Sequence, residues 1–164
     1  MSGVGEVSGA NRYLSGAKLL EEAFSAREKA YAPYSRFRVG AALLAASGKI
    51  YRGCNVENAS FGLSVCAERV ALFKAVSEGE RDFAALGVAG DGEEYCVPCG
   101  ACLQVLAEFN PQLVLFLANR RGESVEKRLD ELLTAVFSLD RQKVSSNASG
   151  NRQGLKIKNS PEGA

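Results

Sequence analysis

The chain has 164 residues, of which 46% are hydrophobic and 24% are charged, as is typical of one soluble globular domain. Its net charge of +1 gives no strong attraction to nucleic acid or anionic membranes, and no stretch of about 18 apolar residues predicts a transmembrane helix. The absence of histidine excludes Ser-His-Asp and Cys-His catalytic groups and any imidazole metal ligand.

The N-terminal residues 1–13 are expected to be flexible because they are rich in glycine and serine. They lack the basic start and apolar stretch that are typical of a secretory signal. The chain has five cysteines, an odd number, and a C-x-x-C spacing that favours metal binding or catalysis over disulfides in an intracellular protein. We therefore expect a cytoplasmic protein.

One domain is predicted over residues 14–139, and its first half contains a helix and a β-hairpin. Apolar residues at helical spacing predict a helix over residues 14–30, which Pro33 prevents from continuing. Two short apolar runs, 37–45 and 50–54, lie on either side of a Ser-Gly turn and predict two paired strands.

The second half of the domain alternates between helices and strands. The expected elements are a helix over 65–76, a strand over 83–90, a helix over 98–109, a strand over 111–117, and a short strand followed by a helical turn over 124–133. Such alternation favours an α/β layered fold.

Residues 140–164 differ in composition from the domain. They are rich in serine, asparagine, glycine and glutamine, and they contain five basic and two acidic residues, a net charge of +3 against −2 for residues 1–139. This composition predicts a disordered basic tail. A weak RNA-binding or partner-binding arm is the alternative interpretation.

Two short runs predict a metal site: Cys66-Ala67-Glu68, and the segment from Pro98 to Cys102. Three thiolates, Cys66, Cys99 and Cys102, can hold a zinc ion and leave its fourth position open. Both runs lie at predicted helix starts, where free N–H groups favour thiolates. Since residues i and i+2 lie on nearly opposite sides of a helix, Cys66 and Glu68 share a site only if the metal lies off the end of their helix, near its axis. The same placement lets a second helix start reach the ion, so we predict that both helices point their N-termini at one zinc.

Charge balance singles out Arg69. Three thiolates and Zn²⁺ leave one net negative charge, which works against acidifying a bound water. The helix N-termini offset part of it, and Arg69 is the candidate for the rest. The alternative is an ordinary exposed helical arginine.

Two further cysteines leave other sites open. Cys96 makes the run C-x-x-C-x-x-C, which also occurs in iron–sulfur proteins, and it could close a structural four-cysteine zinc site with the three predicted ligands. We interpret Cys96 instead as a small buried residue, because the extended backbone before Pro98 carries it away from the helix start. Cys54, at a strand end, is interpreted as a core residue.

A metal ligand followed by x-Glu, and later by Pro-Cys-x-x-Cys, is the pattern of zinc deaminases. Three runs, AYAPYSRFRVGAAL at 30–43, GCNVENAS at 53–60 and CAER at 66–69, closely resemble the cytidine deaminase family in its small homotetrameric branch with three zinc cysteines. The resemblance extends over about residues 19–139. It implies an α/β fold, a three-layer α/β/α sandwich with a five-stranded mixed sheet, assembled as a homotetramer.

The resemblance also implies an activity and a cofactor. The activity is hydrolysis of cytidine and deoxycytidine to uridine and deoxyuridine with release of ammonia, a reaction of pyrimidine salvage, and the cofactor is one Zn²⁺ per subunit. The implied mechanism is attack of zinc-bound hydroxide on C4 of the cytosine ring while Glu68 shuttles protons. No membrane partner is expected, and a nucleic-acid substrate is disfavoured by the negative charge of residues 1–139.

The resemblance assigns residues to the site. The assignments are zinc ligands Cys66, Cys99 and Cys102; proton shuttle Glu68; ribose 3′-hydroxyl contacts Asn55 and Glu57; base stacking Phe37; base-carbonyl recognition by the backbone of Ala67; and Phe137 reaching into a neighbouring subunit's site. From the residues alone, the amide of Asn55 and the carboxylate of Glu57 can pair with one hydroxyl as donor and acceptor, but asparagine is also common as a turn cap. Without the resemblance, Phe37 is interpreted as a core residue.

Three positions depart from the family pattern. Leu103 stands where arginine is usual, Phe61 where tyrosine is common, and Thr134 where proline is often found. These changes concern, in turn, thiolate neutralisation, a contact near the 5′ end of the nucleoside, and the geometry around Phe137.

Two rival functions remain open on the sequence. One is deamination of a cytosine-bearing antibiotic or of a base in nucleic acid. The run Asn55-Val56-Glu57-Asn58 argues against it, because this run favours a free nucleoside with a ribose. The other is a non-enzymatic structural zinc or RNA-binding module that uses Cys96 as the fourth ligand and the basic tail as an arm.

Overall fold

The chain is described by a computed structural model over residues 9–138, with side chains from residue 16 onward. Residues 1–8 and 139–164, which include the predicted basic tail at 140–164, lie outside the described residues, so the tail and the domain limits at 14 and 139 remain predictions. No helix in the described part combines the length and apolar content needed to cross a membrane.

A mixed sheet forms the centre of the described residues. Its five strands are β1 Val39–Ala45, β2 Ile50–Cys54, β3 Phe83–Gly90, β4 Val114–Ala118 and β5 Ser124–Arg128, in the spatial order β2-β1-β3-β4-β5. Only β3 and β4 pair in parallel, and the other neighbours are antiparallel. The predicted hairpin is confirmed, as is the strand over residues 83–90.

Helices cover both faces of this sheet. The described part contains α1 Gly9–Arg27, α2 Ala67–Ser77, α3 Gly100–Ala107 and α4 Leu129–Leu132, and a short 3₁₀ turn Phe61–Leu63. On one face, Leu19 and Ala23 of α1 pack on Ala42, Ala85 and Phe116 of the sheet. The opposite face packs against α2 and α3 and holds the larger apolar cluster. The predicted three-layer α/β/α sandwich with a five-stranded mixed sheet is therefore confirmed.

Element boundaries differ from the predicted ones where side chains interrupt the pattern. Strand β4 begins at Val114 rather than at 111 because the side chain of Asn110 accepts a hydrogen bond from the Gln112 N–H at 3.0 Å and holds a turn there. Helix α1 begins at Gly9 rather than at 14. Few large apolar residues precede Leu14, so hydrophobic periodicity gives no indication of this first turn.

A close contact between β2 and α2 sets the position of the α2 N-terminus. Gly53 of β2 lies against the backbone of the first turn of α2, and a Cβ atom there would overlap the carbonyl oxygen of Ala67. Glycine permits this approach because it has no side chain. The first turn of α2 is thereby pressed against the edge strand of the sheet.

Candidate active site and metal centre

Two helix N-termini meet at a cluster of three cysteines. Cys66 is the N-cap of α2 and Cys99 is the N-cap of α3, both with extended backbone, and Cys102 lies in the first turn of α3. The Sγ atoms of Cys66 and Cys99 are 3.9 Å apart, those of Cys99 and Cys102 are 3.6 Å apart, and all three lie within 4.8 Å of one another. Both helices thus begin at the cysteine cluster, as the sequence predicts.

These distances fit a zinc ion. Tetrahedral zinc with Zn–S bonds of about 2.3 Å separates its sulfur ligands by about 3.8 Å. In the part of the chain that the structure describes, this is the one group of three metal-ligating side chains so placed. Cys96 does not belong to it, so the group has three sulfurs rather than four.

The surroundings of the cluster shift the pKa values of two of its thiols. A hydrogen bond with Cys102 and contact with Arg69 lower the pKa of Cys66 to about 5 despite its burial. The hydrogen bond to Cys66 and burial raise the pKa of Cys102. A thiolate at Cys66 therefore coexists with a protonated thiol at Cys102, whose proton a divalent ion would displace on binding.

Arg69 lies at the cluster rather than on the open helix surface. Its Nη2 atom is 3.4 Å from the Sγ of Cys66 and 3.5 Å from the carbonyl oxygen of Ser64. Its Nε is buried and has no hydrogen-bond partner among the described residues. Leu103, where the family usually has arginine, is 5% exposed and packs in the core, so it contributes no charge.

Glu68 is a buried carboxyl group with one unpaired oxygen. The residue is 4% exposed, and within the described residues its Oε2 has no hydrogen-bond partner. Burial, and secondarily the charge of Cys66, raise the pKa of Glu68 to about 7. A carboxyl group that titrates near neutral pH can both accept and return a proton.

A cavity of about 180 Å³ connects these groups. Its lining residues are Phe37, Val39, Asn55, Cys66, Ala67, Glu68, Cys96, Val97 and Cys99. A larger adjoining cavity of about 520 Å³ shares Asn55 and Cys66 with it and adds Tyr34, Ser35, Glu57 and Phe61 among others. Three of the residues assigned to the site from the sequence line neither cavity. Two of them still lie at the cysteine cluster, Cys102 as a member of it and Arg69 through its contact with Cys66. The third, Phe137, is not brought to the site of its own chain.

Asn55 and Glu57 also hold the loop that carries Phe37. The amide of Asn55 accepts from the Val39 N–H at 2.8 Å and donates to the Phe37 carbonyl at 2.9 Å. The carboxylate of Glu57 accepts from the backbone N–H of Tyr34 at 2.9 Å. Both side chains retain unused hydrogen-bonding groups: one N–H in the amide of Asn55, and lone pairs in the carboxylate of Glu57.

Sequence reasoning did not find Ser35. Its hydroxyl donates to Glu57 and accepts from the Phe37 N–H at 3.0 Å, and its own N–H donates to Glu57 at 3.2 Å. The hydroxyl bond is the main cause that lowers the pKa of Glu57. A serine two residues before Phe37 is the pattern of a serine turn. This pattern is the sequence feature that could have indicated the hydrogen bond from the Phe37 N–H.

The two other cysteines behave differently from the ligands. Cys96 is half-buried in the wall of the smaller cavity, and burial, with a smaller effect of the Glu68 charge, raises its pKa to about 12. Cys54 is half-buried at the end of β2, and its thiol donates to the Lys29 carbonyl at 3.4 Å. Cys96 is thus partly rather than fully buried, and Cys54 lies beside the core rather than in it.

Phe137 and Phe61 both expose their rings. The backbone N–H and carbonyl of Phe137 pair with the side chain of Gln104 at 3.1 and 2.9 Å, and the residue is 58% exposed. Phe61 is 73% exposed and packs edge to face on Tyr34 with ring centroids 5.8 Å apart. Thr134 lies in a bend between α4 and Phe137.

Comparison with known proteins identifies the family. Residues 15–118 match the sequence profile of the cytidine and deoxycytidylate deaminase zinc-binding region. A cytidine deaminase from Sporosarcina psychrophila is 52% identical over 122 residues, which cover 74% of this chain and 90% of that protein. A crystal structure of cytidine deaminase from Burkholderia pseudomallei superposes with a TM-score of 0.72 at 50% identity and covers 74% of this chain and 98% of that one. The chain belongs to the cytidine deaminase family.

Proposed function

We propose that this chain is a zinc-dependent enzyme that hydrolyses cytidine and deoxycytidine to uridine and deoxyuridine with release of ammonia. The observation that carries the proposal is the position of Glu68. Its buried, unpaired carboxyl oxygen lies in a cavity lined by two cysteines of the three-sulfur cluster. Family membership and the fit of the cluster to zinc support it further.

The residues of the cluster define the metal site. Cys66, Cys99 and Cys102 would hold one Zn²⁺ per subunit, and Arg69 would offset the remaining negative charge through its contact with Cys66. When bound, the ion supplies Lewis-acid activation of water at neutral pH. The α2 and α3 N-termini add positive electrostatic potential at the same point.

Glu68 is assigned the proton transfers. Its carboxylate takes a proton from the attacking water, delivers it to N3 of the pyrimidine, and then assists protonation of the departing ammonia. One group can serve as base and then acid because its pKa of about 7 lies close to the operating pH. Burial keeps bulk water away from the carboxyl group.

The remaining side chains are assigned to the substrate. Phe37 would stack on the pyrimidine ring, and the backbone of Ala67, beside Glu68 in the same cavity, would bind the base carbonyl. The amide of Asn55 and the carboxylate of Glu57 would pair with the ribose 3′-hydroxyl as donor and acceptor. These two groups line the larger cavity, which adjoins the reacting centre.

The assembly and the cellular role are part of the same proposal. We propose a homotetramer in which Phe137 reaches the site of a neighbouring subunit, and a role in cytoplasmic pyrimidine salvage. In support, the ring of Phe137 is exposed and lines neither cavity of its own chain.

An ultraviolet assay tests the activity. Purified protein of known zinc content is supplied with cytidine, deoxycytidine, a cytosine-bearing antibiotic or a short oligonucleotide, and ammonia release is measured in parallel. We expect turnover of the two free nucleosides and none of the others. Zinc-loaded protein that deaminates neither nucleoside would refute the proposed function, and turnover of the antibiotic or oligonucleotide alone would favour the rival activity.

A single variant tests the role of Glu68. Glu68→Gln is expected to retain zinc and to lose about 10²-fold to 10⁴-fold in kcat, the usual contribution of a general acid–base group. Glu108→Gln, an exposed glutamate at the end of α3, is the control and is expected to match the wild type. Turnover of Glu68→Gln at the control rate would contradict the assignment.

A further inference from the structure

One hydroxyl group links the sugar end of the site to the base end. The Oγ of Ser35 contacts the Oε1 of Glu57 and the backbone N–H of Phe37. A carboxylate can only accept, so the single hydroxyl proton of Ser35 points to Glu57, and an oxygen lone pair is left to accept from Phe37. The direction of both bonds is therefore fixed.

The backbone between these two contacts is in a disfavoured conformation. Arg36 has φ 56°, in the left-handed region that side-chain-bearing residues rarely adopt. Such a conformation persists only where surrounding contacts hold it. The contacts here are the Ser35–Phe37 bond and the Arg36 N–H donated to the Ala32 carbonyl at 3.1 Å.

The groups on either side share this network. Glu57 is held by the backbone N–H groups of Tyr34 and Ser35 as well as by the hydroxyl. On the other side, Asn55 holds the carbonyl of Phe37. Movement of Ser35 would therefore disturb the carboxylate and the ring together.

We propose that Ser35 is a positioning residue that fixes the Glu57 carboxylate and the Phe37 ring in one arrangement, so that the sugar hydroxyl and the pyrimidine are recognised together. This inference rests on the proposed function of the site. Ser35 is distinct from the groups that move protons or hold the metal, so its removal weakens substrate binding and leaves the chemical step intact.

Kinetics of Ser35→Ala test the proposal. We expect KM for cytidine to rise about tenfold, roughly the effect of losing one hydrogen bond to a charged group, with kcat and zinc content unchanged. Ser35→Thr keeps the hydroxyl and is expected to restore most of the affinity. The matched control is Ser47→Ala, because the hydroxyl of Ser47 also donates to a glutamate, Glu80, and accepts from the N–H two residues on, but in the distant β1–β2 turn.

A double-mutant cycle tests whether Ser35 acts through Glu57. The effect of Ser35→Ala on KM is expected to shrink in a Glu57→Gln background, because contacts in one network are not additive. Fully additive effects, an unchanged KM, or a fall in kcat at constant KM would each overturn the inference. If Ser35→Ala does not fold, the cycle is measured in Arg36→Gly, where glycine removes the backbone strain.

The two proposals fail in different ways. Wild-type protein that does not deaminate cytidine would refute the proposed function before any variant is compared. Active wild-type protein with Ser35→Ala indistinguishable from Ser47→Ala would refute the role of Ser35 alone.

Discussion

Two consecutive residues of α2, Glu68 and Arg69, lie beside different groups of the candidate active site. Glu68 faces the cavity with a raised pKa, while Arg69 contacts the Cys66 sulfur. The carboxyl group and the guanidinium make no ion pair with each other among the described contacts. Glu68 thus lacks an ion-pair partner that would keep it ionised, and the guanidinium of Arg69 remains available to the Cys66 thiolate.

The cysteine spacing separates ligands from bystanders through backbone geometry. Cys96, Cys99 and Cys102 are equally spaced in sequence, but α3 begins at Gly100, so Cys99 is its N-cap and Cys102 lies in its first turn. Cys96 precedes the helix and lines the smaller cavity without joining the cluster of three sulfurs.

Cys96→Ser is therefore expected to keep about one zinc per chain and to retain kcat/KM within about twofold, because its thiol takes no part in the cluster. Metal analysis of the purified protein and the cytidine assay measure this. Cys99→Ser, which removes a ligand, serves as the comparison and is expected to lose the metal. Equal loss of zinc in both variants would instead indicate a closed four-cysteine structural site.

Among single residues, the sequence predicts those site residues that stand at a recognisable spacing from one another. The ligand set, Glu68 and the compensating role of Arg69 follow from two short runs and the charge of three thiolates. Ser35 does not, because its importance depends on Glu57, which is 22 residues away in sequence and is brought close by folding. Its neighbour Arg36 likewise shows no sequence feature that predicts a positive φ.

At the level of elements, the active site depends on how closely α2 packs on the edge strand β2. The cysteine of the CAER run is the N-cap of α2, its glutamate lies in the first turn, and Gly53 of β2 contacts that turn. A displacement of this helix end would move Cys66 relative to Cys99 on α3. We therefore expect the positions of the candidate metal ligands to be sensitive to one glycine outside the site.

Gly53→Ala is expected to lower the thermal midpoint by several degrees and to weaken zinc binding. The added methyl group overlaps the backbone of α2, and overpacking of this kind costs about 1–3 kcal/mol. Thermal melts and metal content measure the two effects. Gly62→Ala is the control because a Cβ atom at Gly62 meets nothing within 4 Å. A Gly53→Ala protein as stable and as zinc-rich as the control would show that the contact is not required.

Element types were predictable, and element ends were not. Hydrophobic patterns predict the strands and helices because burial of one face imposes a period. The ends depend on single side chains such as that of Asn110, whose hydrogen bond delays the start of β4. The tight contact at Gly53 was also beyond prediction, because it requires the relative position of two elements.

For the whole molecule, the exposed aromatic and aliphatic residues bear on assembly. Phe61, Leu63 and Phe137 are each more than half exposed in the single chain. Exposed apolar groups of this kind are common at interfaces between subunits. Sequence alone does not distinguish them from core residues, and the proposed tetramer came from the family resemblance.

Subunit complementation tests whether Phe137 serves a neighbouring site. Phe137→Ala is expected to raise KM because a substrate contact is lost, while Glu68→Gln lacks the proton shuttle but keeps the ring. In mixed assemblies, co-expressed and purified through two different tags, a Phe137→Ala subunit retains Glu68 and can receive the ring from its neighbour. We expect activity at low cytidine concentration above the average of the two parent assemblies, with a mass near four times 17.4 kDa by light scattering. Mixed assemblies that stay at the average would place the ring in its own subunit's site, and a mass of one chain would exclude sharing altogether.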